Sequence, residues 1–559
     1  MFQHFLLVAS RNLFKRKFYS LINILGLAIG MTCCIVIGLY VQNELSFDRY
    51  HVKHERIYRV LQTFRSTSPG QKLNVPSPKD FQVWGCAPVG PALKTDFAQE
   101  AGDKRMQQEN IVAIDSNAFK LFSWKLLQGD PRTALAAPNS IVLTQQVAEK
   151  FFGNTNIVGK TMRVNNGDNL IVTGVVANVP PNSQITFNGL LSMSTIRKSA
   201  PDMFTWWGYV DFYTYFLLKD HADITAMTAA IPAFLQRHNP NDTGYTMAFE
   251  PMDDAYLHSK AARQPGPVGS MLNIYLFSCV GFIILLIACV NFMNLSTARS
   301  LERAKEVGVR KVLGVSPWAL RRQFLFESFI LALVAAIIAL VISKFSLPFV
   351  SDLSGKNFSP NRFISGQLVL WMGLLVLITG LLAGAYPAWF LSRFRPVAVL
   401  KGAVKPSGSS LSLRKGLVVF QFALSVALIA GTIIVNNELQ YLKRHDLGFK
   451  KEQVLVINFE GDDQVTRNIE AIKQSIAGQP GVSSVAASRA VPGEFLPNAG
   501  TSIQGADGNM VQKIPLIYEI DFDFLSCLDI PVIAGRGYSR AFPADSTQSM
   551  IINESAAKL

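Results

Sequence analysis

The sequence predicts a multi-span α-helical membrane protein with five transmembrane helices and α+β extracytoplasmic domains. Three observations lead to this fold class. Only 16% of the 559 residues are charged, against roughly 25% in an average soluble domain. Five apolar runs approach or exceed the roughly 20 residues that a helix needs to cross a hydrocarbon core. Basic residues cluster beside these runs, and the long segments between them carry strand and helix patterns.

The five apolar runs define the predicted transmembrane helices. The first, fourth and fifth runs contain no charged residue, and Lys344 lies close enough to the end of the third for its amine to reach the interface. No clear A-x-A cleavage site follows the first run, so it is not predicted to be a cleavable signal. The helices are predicted at residues 21–41, 271–295, 328–350, 368–391 and 416–435.

Basic residues predict the orientation of these helices. They are concentrated in residues 1–20, 296–327 and 392–415, and the first and last of these segments contain no acidic residue. All three segments lie on one side of the membrane if the N-terminus is cytoplasmic. The net charge of +14 is therefore interpreted as topology. Nucleic acid is a poor alternative partner, because many of these charges lie next to the membrane.

This orientation places two long segments outside, residues 42–270 and 436–559, and one short loop, residues 351–367. Cys86 and Cys527 are the single cysteines of the two long segments, so burial and not disulfide bonding is expected to hold them. The first segment is predicted to be α+β, with a helix at 224–238 and another at 144–152 that Thr144 can cap. Strands are predicted at residues 57–61, 111–114, 140–143, 161–164, 170–177 and 212–218.

An internal repeat relates the two halves of the chain. Three matches occur in the same order, at offsets of 394, 406 and 409 residues. The second copy stops inside a predicted strand–helix unit, so we expect a fragment or an early stop, with a natural half-repeat as the alternative. The matched pairs are Val41–Leu45 with Val435–Leu439, Asp115 and Gly129 with Asp521 and Gly535, and Ser140–Phe151 with Ser549–Leu559.

The segment Asn294–Gly314 (NLSTARSLERAKEVGVRKVLG) is a charged stretch between two apolar runs. Glu306 and Arg310 have the spacing of a helical ion pair, which adds a few tenths of a kcal/mol. Gly314 is a natural helix end. On charge alone, an ordinary positive-inside loop is the favoured interpretation, and a docking element for a cytoplasmic partner is the alternative.

Four stretches resemble the MacB/FtsX-type ABC transporter permeases in their long, duplicated form, and the resemblance covers essentially the whole chain. The most specific is ERAKEVGVRKVLGVSPWALRRQFLFESFILAL, Glu302–Leu333. The others are the basic stretch Leu7–Gly30, the segment Asn43–Val60 after the first helix, and Gly384–Gly402 at the end of the fourth.

The resemblance implies a permease subunit in the bacterial inner (cell) membrane, with a cytoplasmic N-terminus and large periplasmic domains. Residues 42–270 would be a MacB-like periplasmic domain. Residues 296–327 would be a cytoplasmic coupling segment, in which Leu301–Leu313 docks on a separate cytoplasmic ABC ATPase subunit. In this docking role, charged side chains would set the choice of partner, and Val307 and Val312 would fill an apolar groove. The expected docking residues are Glu302, Arg303, Glu306, Val307, Gly308, Arg310, Lys311 and Gly314.

Two glycine pairs have the spacing that lets membrane helices approach closely. Gly26 and Gly30 lie in the first predicted helix, and Gly380 and Gly384 lie in the fourth. Packing within the helix bundle is the expected role of all four.

No catalytic residue, cofactor or metal site is predicted in the chain. Gly153–Thr161 has five residues between its glycines, where a phosphate-binding loop has four. His51 and His54 have a spacing that suits a metal, but no further ligands are evident. ATP and Mg²⁺ are therefore expected on the partner ATPase.

The resemblance favours export or extraction of a hydrophobic or amphiphilic substrate, such as a drug, peptide or lipoprotein. The alternative is an FtsX-like signalling complex that transmits mechanical motion to activate a cell-wall hydrolase without transport. A membrane-anchored enzyme is a third class, for which no residues are found. Besides the ATPase and the lipid bilayer, a periplasmic or outer-membrane partner is compatible with the resemblance.

Overall fold

In the part of the chain that it describes, the computed structural model contains five helices that are long and apolar enough to cross a membrane, as the sequence predicts. We call them the first to fifth spans: Lys17–Leu45, Met271–Ala298, Pro317–Ser354, Gly366–Ser392 and Gly408–Arg444. The structure describes residues 17–64, 81–86, 89, 101–102, 105–106, 111–163, 169–207, 210–240, 245–298, 307–356, 366–392, 408–457, 463–493, 501–504, 510–513 and 515–558.

The third span begins eleven residues earlier than the predicted start at residue 328. Ser316 is its N-cap, and its side chain accepts a hydrogen bond from the Ala319 N–H at 3.3 Å. Pro317 occupies the first turn, where its missing N–H costs nothing. The helix therefore runs unbroken for 38 residues and extends into the segment that was predicted to be a separate coupling region.

Small residues bring the spans together. The third span lies against the first and the fourth, and the second lies against the first. Ala332, Ala335, Ala336 and Ala339 line the buried side of the third span. Lipid tails are as apolar as leucine, so close backbone approach and van der Waals contact hold such helices together.

The four glycines singled out by their spacing lie at helix contacts. A Cβ added at Gly30 would lie 2.9 Å from the Ala288 Cβ, and one at Gly384 would lie 2.7 Å from the Ser328 Cβ. A Cβ at Gly380 would meet the ring of Phe329 at 2.5 Å. At Gly26 the nearest atom would be 3.7 Å away, an ordinary contact. Three of the four positions thus have no room for a side chain.

The region between the first and second spans folds around one sheet, and we call residues 46–270 the sheet domain. Its strands are β1 Ile57–Phe64, β2 Trp84–Cys86, β3 Ala101–Gly102, β4 Arg105–Met106, β5 Ile111–Ile114, β6 Leu126–Gln128, β7 Ser140–Thr144, β8 Thr161–Arg163, β9 Asn169–Val176, β10 Gly189–Ser192, β11 Val210–Leu218 and β12 Tyr245–Pro251. Its helices are His54–Arg56, Ala118–Leu121, Gln145–Phe152, Met193–Ser199, Pro201–Phe204, Ile224–His238 and Met252–Ala255.

The main strand order is β12-β1-β11-β4-β5-β10-β7-β9-β6, with β2 and β3 on β11 and β8 on β9. β1 lies between β11 and β12 and is antiparallel to both. The pairs β5–β10 and β7–β9 are parallel. One face buries the helix Ile224–His238 through Met227, Ile231 and Phe234. Residues 46–56 connect the first span to β1, so the strand next to the edge strand β12 is tied to that span.

Every predicted strand of this domain overlaps an observed one, and the helix at 224–238 has the predicted ends. The shorter strands β2, β3, β4 and β6 were not predicted, because two or three residues show no periodicity. β10 and β12 were also missed. The predicted capping hydrogen bond is wrong. Thr144 is the N-cap residue of the helix Gln145–Phe152, but its side chain makes no capping hydrogen bond. Thr144 ends the buried strand β7, and Asn178 Oδ1 accepts from the Gln146 N–H instead, at 2.9 Å.

The repeat is visible in the region that follows the fifth span. The helices Ala118–Leu121 and Phe524–Cys527 are related by the same offset of 406 residues. Gly129 and Gly535 both have positive φ, +97° and +80°. The other elements described in this region are the helices Asp463–Arg467, Ile469–Ala477, Pro543–Ser546 and Glu554–Ala557, and the hairpin of β13 Thr501–Gln504 with β14 Met510–Lys513.

The strand expected at the start of Ser549–Leu559 does not form. Residues 549–553 are outside any strand, and the helix Glu554–Ala557 follows with Asn553 as its cap. In the first copy, β7 is held between β9 and β10. No corresponding ladder is found on residues 549–553 within the described part of the C-terminal region.

A buried polar network fastens residues 46–51, which follow the first span, to the rest of the sheet domain. Asp48 Oδ1 accepts from Ser183 Oγ and from the Gln184 N–H, both at 3.0 Å. His51 Nδ1 accepts from the Ser123 N–H at 3.0 Å. Burial raises the pKa of Asp48 to about 6 and lowers the pKa of His51 to about 3. These two shifts change the free energy of unfolding in opposite directions as the pH falls.

We expect Asp48→Asn to steepen the acid sensitivity of the fold. Below pH 6.5 the unfolded chain protonates His51 while the folded chain does not, so stability falls. Near pH 6 the folded chain protonates Asp48 while the unfolded chain does not, which restores about 1 kcal/mol per pH unit. Asparagine tolerates the positive φ of 56° at this position and removes only the second effect.

The measurement is the thermal unfolding midpoint of the full chain in detergent between pH 7.5 and 5. The midpoint of the variant should fall more steeply than that of the unmodified chain between pH 6.5 and 5. Parallel pH curves for the two proteins would contradict the assigned shift of Asp48.

Candidate functional site

The described part of the predicted docking segment contains a helix over residues 307–312 that lies at the start of the third span. Glu302, Arg303 and Glu306 lie outside the described residues. Gly308 is within the helix and is buried. The structure therefore describes five of the eight residues that the sequence selects.

The first described residue of this helix packs inside the chain. Val307 is only 2% exposed and contacts a cluster of Leu320 and Phe324 from the third span and Ala388 from the fourth. The sequence interpretation gave Val307 the role of filling a groove on a partner. In the structure it fills a groove between two spans, because the helix turns this face toward the bundle.

Three basic side chains fix the helix and the adjoining span ends. Arg310 Nη1 donates to Gln323 Oε1 at 2.8 Å, and Lys311 Nζ donates to the Ser392 carbonyl at 2.6 Å. Arg321 Nε donates to Ser392 Oγ at 2.9 Å.

Ser392 is the last residue of the fourth-span helix, where backbone carbonyls lack helical partners and a cation is favourable. Burial lowers the pKa of Lys311, and the charge of Arg321 lowers it further.

Gly314 ends the helix as the sequence indicates. Its φ is +90°, its N–H donates to the Lys311 carbonyl at 3.1 Å, and the Val315 N–H donates to the Arg310 carbonyl at 3.1 Å. This pair of hydrogen bonds is the Schellman ending, in which a left-handed residue favours glycine. The next residue that begins a helix is Pro317, so the turn between the two helices is very short.

Apolar side chains remain exposed beside this turn. Val309 and Val312 are three residues apart and share one side of the helix. Leu313 is 77% exposed and Trp318 is 65% exposed. Exposed apolar residues in such a cluster mark a surface for protein or lipid contact. The sequence analysis did not name Leu313 or Trp318 as docking contacts, although both lie inside the most specific of the family-like stretches.

The glycines that resemble a phosphate loop have structural roles. Gly153 ends the helix Gln145–Phe152, and its N–H donates to the Glu149 carbonyl at 2.9 Å. The Gly159 N–H donates to the Val172 carbonyl at 2.7 Å. These contacts use the backbone groups that a phosphate would need.

The two histidines with metal-like spacing are separately engaged. His51 accepts from a backbone N–H as described above, and His54 Nδ1 lies 2.7 Å from Asp253 Oδ1. Among the residues that the structure describes, no group of three or more His, Cys, Asp or Glu side chains is placed to hold a metal ion.

Two family models match the chain. The MacB-like periplasmic core domain matches residues 20–234, which include most of the first span and most of the sheet domain. The FtsX-like permease C-terminal domain matches residues 278–396, which include the 307–312 helix and the third and fourth spans.

Similar proteins include permeases of bacterial ABC systems. An uncharacterized ABC transporter permease of Bacillus subtilis, YknZ, is 25% identical over 56% of this chain and 74% of its own length. The macrolide export ATP-binding/permease protein MacB of Photorhabdus laumondii is 22% identical over 71% of this chain. The match covers 61% of that MacB, so the chain spans about three fifths of it.

A solved structure is also similar. It is the periplasmic region of MacB from Actinobacillus actinomycetemcomitans, at 14% identity and a TM-score of 0.24, over 35% of this chain and 89% of that one.

We expect Lys311→Met to loosen the 307–312 helix from the fourth span. The variant keeps the apolar stem but loses the hydrogen bond to the Ser392 carbonyl, so local opening should become easier. Deuterium uptake by the amides of residues 308–313 should be several-fold faster, as measured by hydrogen exchange and mass spectrometry on the full chain.

Lys415→Met is the matched control, because Lys415 is exposed at the start of the fifth-span helix. Its exchange over residues 308–313 should equal that of the unmodified chain. Equal uptake in both variants would show that the Lys311 contact does not hold the helix.

Proposed function

Because the chain belongs to the MacB/FtsX type of ABC transporter permease, we propose that it takes up ATP-driven motion from a separate ABC ATPase subunit. The motion would enter at the 307–312 helix and reach the sheet domain through the spans. In this proposal the N-terminus and the 307–312 helix are cytoplasmic, and the sheet domain is periplasmic.

The observation that carries the proposal is the attachment of the 307–312 helix to two spans at once. Arg310 reaches the third span, Lys311 reaches the end of the fourth, and Val307 is buried between them. A helix held by one flexible loop would yield under a load. A helix held at three points passes a displacement directly to the spans behind it.

The docking segment has two sides with different tasks. Val307, Arg310 and Lys311 face the bundle, so they position the segment. Val312, Leu313 and Trp318 are exposed and serve as apolar anchors for the ATPase, as in other complexes where a helix lies in a groove. Glu302, Arg303 and Glu306 stay proposed as charged contacts that select the partner.

The proposed substrate is hydrophobic or amphiphilic, such as a drug, peptide or lipoprotein. A relative named for macrolide export and ATP binding supports this class. The second- and fourth-span helices contain no charged residue, so neither offers the ionic groups that line ion or proton paths. The chain would therefore handle its substrate with its periplasmic domains and use the spans to move them.

The test is co-purification of the tagged full chain with a co-expressed ABC ATPase. Leu313→Asp places a charge in the proposed apolar anchor and should reduce the recovered ATPase about tenfold, in line with loss of one interface hot spot. Val158→Asp is the matched control, because Val158 is an exposed apolar residue of the sheet domain, and it should leave recovery unchanged.

Full recovery of the ATPase with Leu313→Asp would refute the apolar anchor, and Glu306→Arg then tests the charged contacts alone. Absence of any ATPase on the unmodified chain would refute the coupling itself. With the complex in hand, faster ATP hydrolysis in the presence of an amphiphilic substrate indicates transport. Activation of a cell-wall hydrolase without export would instead identify the signalling alternative.

A further inference from the structure

Glu44 is a buried charge at the end of the first span. Its side chain is 1% exposed, and Leu45, the next residue, is the last of the helix. A carboxylate is unfavourable at this position for two reasons. Burial removes its hydration, and the C-terminal end of a helix already carries a partial negative charge. Specific partners must therefore offset its charge.

Two side chains from distant parts of the chain supply these partners. Lys356 Nζ forms an ion pair with Glu44 Oε1. The Tyr256 hydroxyl donates to Glu44 Oε2 at 3.0 Å, and it lies 3.2 Å from Lys356 Nζ. Both carboxylate oxygens are thus occupied, which is the condition under which a buried charge is tolerated.

The three residues belong to three different structural units. Glu44 is part of the first span. Tyr256 follows the helix Met252–Ala255, which continues directly from the edge strand β12 of the sheet domain. Lys356 lies two residues beyond the third span, which ends at Ser354. The cluster therefore joins two spans to the sheet domain at a single point.

The ring of Tyr256 is closely packed against Phe47 and Gly269. It stacks on Phe47 with ring centroids 3.5 Å apart and an interplanar angle of 1°. A Cβ at Gly269 would lie 2.5 Å from the ring, and the Gly269 N–H donates to the Tyr256 carbonyl at 2.9 Å. Gly269 precedes the second span by two residues, so the start of that span is fixed to the same ring.

The backbone after the third span directs Lys356 back to the cluster. Gly355 has a left-handed φ of +64°, and its N–H donates to the Ser351 carbonyl. The Lys356 N–H donates to the same carbonyl at 3.2 Å, and Ser351 Oγ donates to the Lys356 carbonyl at 2.5 Å. The direction of the lysine is thus set by the end of the helix.

We propose that Glu44, Tyr256 and Lys356 form a transmission joint, in which movement of the third span is passed to the sheet domain and the first span. The third span is one helix of 38 residues, about 57 Å long at 1.5 Å per residue. Its beginning contacts the 307–312 helix, and its end carries the lysine of the joint. Only the source of the movement, the ATPase, rests on the proposed function.

The repeat supplies an internal comparison. Glu438 occupies the place of Glu44 in the related sequence Val435–Leu439, but it is exposed on the fifth-span helix. The sequence motif alone therefore does not bury the carboxylate. Burial follows from the partners that the sheet domain and the third span bring to Glu44.

The first test uses the full chain alone in lipid nanodiscs. Genetically encoded spin labels at Val158 in the sheet domain and Leu353 at the end of the third span leave all six cysteines in place, and both positions are exposed. The unmodified chain should give one narrow distance distribution. Lys356→Met should at least double its width, and Tyr256→Phe should widen it less.

The exchange Glu44→Lys with Lys356→Glu should restore the narrow distribution, because it restores opposite charges. Glu438→Gln and Lys260→Met, which change exposed residues, should leave the distribution unchanged. An unaltered width in Lys356→Met would overturn the proposal. If this variant unfolds, as circular dichroism would reveal, the milder Tyr256→Phe decides by the same criterion.

The second test adds the ATPase and a non-hydrolysable ATP analogue. The mean label distance should shift in the unmodified chain and stay fixed in Lys356→Met, although the Lys356→Met complex still hydrolyses ATP when ATP replaces the analogue. A shift of equal size in both would show that motion bypasses the joint. Failure of the ATPase to bind the unmodified chain would count against the proposed function only, because the first test measures the chain in nanodiscs without any ATPase.

Discussion

Close contact between the third span and its neighbours is the constraint on which the rest of the structure depends. Apolar burial gives little drive for association within lipid, so helices must fit at short range. The alanines of the third span and the glycines at positions 380 and 384 provide that fit. With larger residues there, the third span would separate from the fourth, and the contacts at its beginning could not act on the rest of the bundle.

Charged and polar groups hold the two ends of the third span. Near its beginning, Lys311 and Arg321 bind Ser392. Near its end, Lys356 binds Glu44. Hydrogen bonds and ion pairs have a fixed direction and length, which apolar contacts lack, so they define where each end of the span lies. The apolar contacts along the middle of the third span hold it close to its neighbours. The polar contacts at its two ends fix its position along them.

Much of the fold could be predicted from the sequence, because the signals are local. A run of apolar residues is sufficient to indicate a span, and alternation in residues 212–218 indicates a strand. The helix stop at Gly314 was predictable because glycine favours the left-handed conformation. Strands of two residues such as β3 have no such signal and form only because β11 offers them backbone partners.

The candidate site was predicted in its position but not in its orientation. The sequence located the charged segment between the second and third spans, and it listed Val307 with the exposed contacts. Which side of a short helix faces inward depends on the neighbour that it meets, here Leu320 and Phe324. Sequence spacing contains no information on that neighbour, so Leu313 and Trp318 were not named as contacts.

Composition and order along the chain thus determined by themselves that this protein has five helices able to span a membrane, connected to α+β domains. The tertiary structure alone decided which polar residues work together. Glu44 and Lys356 are 312 residues apart, and no pattern in the sequence marks either residue as the partner of the other. Their pairing exists because packing of the first and third spans brings both to one point, where burial makes each charge require the other.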